Sequence, residues 1–191
     1  MRRVWLLVLA AGCKSILGIE DPIVGQGPAD GPGSGDGPGP SDGPSEGTAG
    51  CPAAPTGCTV FTCAGRTSCL YDCGHDARRT WPIANSFCVA QGIGCLARID
   101  GPSDNACIEQ HVLPGATSND NVWFGYTQSA SGAEPSGGWG FTCGNSTYVN
   151  WGITEPNQLT GDEDCASMHD SSGAWSDDQC SGTYRFVCSV L

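Results

Sequence analysis

The chain has 191 residues and a formal net charge of −12, twenty acidic residues standing against eight basic ones. That is room for one domain with appendages, and so anionic a chain excludes nucleic acid and anionic membrane surfaces as natural partners. Thirteen cysteines in a chain of this length point to an oxidising compartment and a disulfide framework.

The first twelve residues read as an export signal. Met1, Arg2 and Arg3 give a positive start, Val4 to Leu9 an apolar run, and Ala10, Ala11 and Gly12 small residues before Cys13. The run is too short to span a bilayer, so membrane attachment has to come through lipid. This pattern resembles a bacterial lipoprotein signal, although Leu9 stands one place earlier than the usual leucine. The resemblance implies that Cys13 is diacylated and becomes the first mature residue; an ordinary signal peptide cut near Gly12 is the alternative. Loss of residues 1–12 leaves six basic residues against twenty acidic, a net charge of −14. Twelve cysteines then remain, an even number suited to six disulfides. Lys14, rather than Asp, follows Cys13, which by the same resemblance implies an outer-membrane address. The expected location is a cell envelope, lipid-anchored and facing the periplasm or the exterior.

Residues 13–50 are expected to form a lipid-anchored linker. Within them, residues 25–50 hold ten glycines and five prolines with no aromatic and no basic residue. Such a stretch has too little apolar surface to offset its chain entropy, and disorder is expected. From residue 51 to residue 73 the chain is cysteine-rich: Cys51, Cys58, Cys63, Cys69 and Cys73, with only His75 nearby. Zinc sites need Cys and His at short paired spacings, so disulfides are the better reading. Five is odd, and at least one of these cysteines must therefore reach into the main domain, residues 74–191.

Thr80-Trp81-Pro82 has the form of a helix start, with Trp81, Ala84 and Cys88 on one face. Cys95 to Ile99 reads as a short buried strand. Ser103 is expected to cap a second helix ending at Val112, before Leu113-Pro114. Val122, Phe124 and Tyr126 alternate with Trp123 and Gly125, a strand signal. Residues 129–147, rich in Gly and Ser, suit an irregular loop in which Trp139 is the tryptophan expected to be most exposed; the others read as core and loop supports. Asp164 to Met168 and Tyr184 to Val190 read as strands. Cys95 and Cys107 bracket a strand-to-helix turn, which makes a local bridge reasonable and leaves Cys143 to find a partner among the five upstream cysteines.

Between Trp151 and Cys180 lie seven carboxylates: Glu155, Asp162, Glu163, Asp164, Asp170, Asp177 and Asp178. No Lys or Arg accompanies them. Either the loop is solvated, or a cation offsets the repulsion; oxygen donors favour a hard ion such as Ca2+. Glu155-Pro156-Asn157, Glu163-Asp164-Cys165 and Trp175-x-Asp177-x-x-Cys180 occur here in order. With Trp81-x-x-Ala84-x-x-x-Cys88, Trp123-Phe124-Gly125 and Tyr184-x-Phe186-x-Cys188, they resemble the C-type lectin-like domain across roughly residues 69–191.

The resemblance implies a disulfide-rich α+β fold: two helices, two small antiparallel sheets and a long irregular Ca-binding loop. It also implies the bridges Cys88–Cys188 and Cys165–Cys180. By the same resemblance one Ca2+ is held by Glu155, Asn157, Glu163 and Asp177, with Pro156 cis, and two sugar hydroxyls complete the coordination. Ser176 stands where sugar-binding relatives carry Asn; its hydroxyl is a candidate ligand to metal and sugar, directly or through water. Glu followed by Asn goes with mannose, fucose or N-acetylglucosamine. The leading expectation is a Ca2+-dependent carbohydrate-binding module with glycans or glycoconjugates as partners and no enzymatic activity. The alternative is a module of the same fold that binds protein or polymer without Ca2+. A glycosidase built on Glu155, Glu163 and Asp177 would need two carboxylates across a cleft, for which so loop-rich a domain leaves little room. His75, His111 and His169 fall in no triad or metal-helix pattern.

Overall fold

A computed structural model describes residues 50–114, 120–130, 133–169 and 172–190. Residues 1–49, on which the expected export signal, the expected lipid anchor at Cys13 and most of the expected linker fall, lie outside the described residues. Strands β1 (Cys58–Phe61) and β2 (Leu70–Cys73) come first, then helix α1 (Trp81–Ala90) and the short β3 (Cys95–Leu96). Helix α2 (Pro102–Val112) precedes β4 (Asn121–Gln128), β5 (Trp139–Phe141), β6 (Cys165–His169), β7 (Trp175–Asp178) and β8 (Arg185–Ser189).

The main sheet runs β1-β2-β8-β4-β6-β7, with β3 paired to β8 and β5 to β4. The two small antiparallel sheets implied by resemblance are joined here by one parallel pairing, Val122 with Arg185 and Trp123 with Phe186. The hairpin β1–β2 pairs with β8, so the cysteine-rich segment before residue 74 belongs to the same sheet. Strand β4 lies centrally and is buried on both faces from Val122 to Tyr126, which is why its alternation does not separate an inner from an outer side.

Helix α1 starts with Pro82 in its first turn and buries Trp81, Ala84 and Cys88 on one face, as the spacing predicts. The Trp81 indole N–H donates to the Phe124 carbonyl at 2.8 Å, and that of Trp123 to the Arg79 carbonyl at 3.0 Å. Each buried indole thereby satisfies its one donor, the first fixing α1 to β4 and the second fixing the segment before α1 to β4. Helix α2 begins two residues earlier than expected, after Gly101, so Ser103 lies inside it and caps nothing. Pro102 at the first position explains the shift, because proline tolerates the helix start and costs no hydrogen bond there. The strand read over Cys95–Ile99 shortens to two residues; Ala97 and Ile99 remain buried beyond it.

Six disulfides tie these elements together. Cys88–Cys188 joins α1 to β8, and Cys165–Cys180 joins β6 to the segment after β7. Closing the Cys88–Cys188 loop, a sequence separation of 100, contributes about 4.7 kcal/mol in the chain-entropy picture. Cys51–Cys69 and Cys58–Cys73 staple the N-terminal hairpin. The expected local bridge between Cys95 and Cys107 does not form. Cys107, on α2, reaches Cys63, while Cys95 pairs with Cys143, which therefore has no upstream partner among the first five cysteines. Cys63 is the odd cysteine of that group, and it does reach into the main domain.

No described helix is long and apolar enough to cross a membrane.

Candidate functional site

The acidic loop is anchored from below by an aromatic floor. Trp175, the first residue of β7, is fully buried; its indole N–H donates to Asn105 Oδ1 at 2.7 Å, and Asn105 Nδ2 donates in turn to the Gly173 carbonyl at 2.9 Å. Phe124, Tyr126, Tyr148 and Trp151 pack around it with ring centroids 4.7 to 6.0 Å away. Trp139 belongs here too. Half-buried rather than the exposed tryptophan of its loop, it stands edge-on to Trp151 at 4.8 Å and donates to the Pro135 carbonyl at 2.9 Å. The glycines around it do not expose it, because β5 pairs with β4 and the ring packs against Tyr126 and Trp151.

From this floor the chain rises into the site. Gly152 N–H donates to the Trp175 carbonyl at 2.8 Å and Glu155 N–H to the Gly152 carbonyl at 3.1 Å. The Glu155–Pro156 peptide is cis. Asp177 fixes the far side of the turn: its carboxylate accepts the Asn157 N–H at 3.0 Å to both oxygens and the Gln158 N–H at 2.8 Å. Asn157 Nδ2 donates to Glu155 Oε2 at 2.6 Å. Glu163 comes from the opposite flank, its backbone N–H held by Gln158 Oε1 at 3.3 Å and its Oε1 accepting the Thr160 hydroxyl.

Glu155, Asn157 and Asp177 are thus bonded to one another, with Glu163 secured alongside through Gln158 and Thr160. Ser176 is not brought to them. Side chains alternate along a strand, so Ser176 shares a face with Asp178, opposite Asp177. Its hydroxyl lies 3.3 Å from Asp178 Oδ2 and 3.4 Å from the Asp177 carbonyl oxygen. Asp178 also accepts from the Ser167 hydroxyl at 2.5 Å, Asn121 Nδ2 at 3.4 Å and the Tyr184 hydroxyl at 3.3 Å. Burial raises the Asp178 carboxyl above its ordinary range despite these donors, and burial together with Asp178 pushes the Tyr184 phenol up to about 12. This second polar layer went unread in the sequence, because adjacent aspartates give no sign of which faces the loop.

The loop carries unrelieved negative charge. Glu155 is pushed up to about 7, first by desolvation, then by the hydrogen bond and charge of Asp177, then by Glu163 and Asp178. Glu163 Oε2 is buried with no hydrogen-bond partner. A buried acceptor left in this state costs about 1–3 kcal/mol, and more when charged. Carboxylate and amide oxygens with one orphaned acceptor suit a hard cation. Among the described residues, however, no three His, Cys, Asp or Glu side chains are gathered at metal-holding geometry. The hydrogen bonds within the turn keep the acidic side chains turned toward N–H donors.

Residues 77–190 match the model of the C-type lectin domain, more than half of the chain. This protein belongs to the C-type lectin domain family. It is 29% identical over 115 residues to the C-type lectin lectoxin-Enh4 of Pseudoferania polylepis, covering 58% of this chain and 70% of that protein. Identity to the asialoglycoprotein receptor 2 of Homo sapiens is 30% over 118 residues, 58% of this chain but only 34% of the receptor. The C-type lectin carbohydrate-recognition domain of the mouse scavenger receptor superposes with a TM-score of 0.55 at 25% identity, over 71% of this chain and 94% of that one.

Three scattered histidines stay outside the site. His75 bonds to Asp72 at 2.9 Å, beside Arg185, which bonds the same carboxylate at 2.6 Å. His111 stacks on Phe61 at 4.5 Å, and His169 closes β6.

Proposed function

We propose that this C-type lectin domain is a carbohydrate-binding module that takes one Ca2+ on Glu155, Asn157, Glu163 and Asp177. The observation that carries the reading is the Glu155-Pro156-Asn157 turn hung on Asp177, with a buried, unpartnered Glu163 oxygen beside it. A bound Ca2+ supplies a positive centre that can accept further hydroxyl oxygens as ligands. Glu155 and Glu163 accept hydrogen bonds from a sugar diol, and the Asn157 amide donates one. The order Glu155 then Asn157 supports mannose, fucose or N-acetylglucosamine as the diol. The carbohydrate-recognition domain and the asialoglycoprotein receptor among its relatives favour a glycan partner over a catalytic role. Glu155 and Glu163 stand on one loop rather than across a cleft, which also argues against glycoside hydrolysis.

Calorimetry with Ca2+ tests the metal directly. A dissociation constant of roughly 10⁻⁴ to 10⁻³ M is expected, the range of extracellular modules. Asp177→Ala should abolish the signal, whereas Ser176→Ala should keep it, because the Ser176 hydroxyl is committed to Asp178. Absence of any heat at millimolar Ca2+ would return the protein to the second reading, a Ca2+-independent protein- or polymer-binding module. The self-bonded turn is what favours that reading.

The lipid anchor on Cys13 and the envelope location are part of the same proposal and rest on the N-terminal sequence pattern alone. Cys13→Ser should release the protein into the soluble fraction; persistence with membranes would end the anchor proposal.

A further inference from the structure

Glu163 is buried in the acidic loop, and its two carboxylate oxygens stand in different surroundings. Oε2 is buried with no hydrogen-bond partner, whereas Oε1 accepts the Thr160 hydroxyl. Thr160 is held in turn from beyond β7. Gln179 Nε2 donates to the Thr160 carbonyl at 2.8 Å and reaches the Thr160 hydroxyl oxygen at 3.4 Å. Both ends of this chain of bonds stand on one covalent base. Gln179 immediately precedes Cys180, Glu163 lies two residues before Cys165, and the disulfide between these cysteines sets their Cα atoms 5.2 Å apart. Strands β6 and β7 pair at the same level, Cys165 against Asp178. Between the two ends, residues 159–162 are all exposed. The Gln179–Thr160 bond is therefore a strut from a rigid base to a turn that stands in water.

Resting on the Ca2+-binding reading, we propose that Thr160 and Gln179 are positioning residues that hold Glu163, with Oε2 left free for the ion, before the ion arrives. Neither belongs to the ligand set of Glu155, Asn157, Glu163 and Asp177; both act through Glu163. Without the Thr160 hydroxyl, neither oxygen of this buried carboxylate has a partner. An unpaired buried charge relieves its desolvation by turning out to water, away from the place where the ion is to be held. Gln158 secures the backbone of the same turn, its N–H on Asp177 and its Oε1 on the Glu163 N–H, but it leaves the Glu163 carboxylate to Thr160. A ligand fixed beforehand loses less freedom when the ion binds, so the strut acts on affinity rather than on fold.

Calorimetry with Ca2+ on the full chain reads the first effect. T160V and Q179A should each raise the dissociation constant about tenfold, the lower end of what the loss of a metal ligand's own partner costs. T160S keeps the hydroxyl and should bind as the parent does. The second measurement needs no ion: chymotrypsin digestion in chelator, with the cut between the exposed Leu159 and Thr160 followed by mass spectrometry after reduction. Q179A leaves both residues of that bond unchanged and should be cut there about tenfold faster, because the opened turn is that much more populated. Parent-like Ca2+ affinity in T160V and Q179A overturns the inference and leaves the Ca2+-binding reading in place. An equal loss in T160S and T160V overturns it by removing the hydroxyl from the account. Weakened affinity with unchanged cleavage in chelator overturns it too, since the turn is then held only once the ion is bound. No Ca2+ binding by the parent overturns that reading and this inference together.

Discussion

Glu155 is the residue on which the chemistry of the loop turns. Its carboxyl is raised to about 7 because burial and its anionic neighbours oppose the charge. A raised value in the folded state means that protonated Glu155 favours the fold. That contribution is complete below the ordinary carboxylate range and is lost as pH rises through about 7. In chelator, the melting temperature should therefore fall as pH is raised across this window. Calcium reverses the sense, since it binds the anion and must displace the proton below about pH 7. Ca2+ affinity should weaken by up to about tenfold per unit as pH drops below 7 and level off above it. Calorimetry across this range checks both, and a flat profile would remove Glu155 from the ligand set. At this scale much was legible: Glu155, Asn157, Glu163 and Asp177 lie in an ordered motif, and three of the four are bonded to one another. Ser176 was not, because the faces of β7 are decided by pairing with β6, where Ser176 opposes Ser167 and both face Asp178.

Elements were legible where local chemistry decides them. Pro82 after Thr80 begins α1, and the Trp81, Ala84, Cys88 spacing gives its buried face. Disulfide partners beyond the two family bridges were not, because a bridge needs Cα atoms within about 4.4–6.8 Å and sequence spacing says nothing of that. Cys95 and Cys143 are 48 residues apart in sequence and 6.5 Å apart in space. The approach of β3 to β8 beside Cys95 depends on Gly94. Its φ is +89°, and a Cβ built there would lie 2.0 Å from the Ser189 carbonyl oxygen. Gly94→Ala combines left-handed strain with a backbone clash and should cost more than about 2 kcal/mol. Gly92→Ala, at φ +68° with nothing within 4 Å, should cost only about 1 kcal/mol. Urea unfolding with the disulfides intact measures both. Equal losses would mean that β8 yields at this point.

For the molecule as a whole, the six disulfides and the sheet β1-β2-β8-β4-β6-β7 form the frame that carries the Glu155–Glu163 loop. The loop is hung on that frame through Trp175, Asn105 and Asp177. Binding of Ca2+ to the native loop alone should then add stability by mass action without changing the fold. At Ca2+ tenfold above its dissociation constant the gain is about 1.4 kcal/mol. In a domain of this size that is a rise of roughly 3–6 °C in melting temperature over the same protein in chelator. Mg2+ at equal concentration should give a smaller rise, since it demands near-octahedral geometry and gives up its water reluctantly. Asp177→Ala should melt lower than the parent, because the Asn157 and Gln158 N–H groups lose their acceptor, and should show no Ca2+ response. Scanning calorimetry of both proteins, with and without chelator, separates the two losses. Identical melting of the parent protein in Ca2+ and in chelator would mean that the loop holds its turn by hydrogen bonds alone and that its partner is bound without the ion.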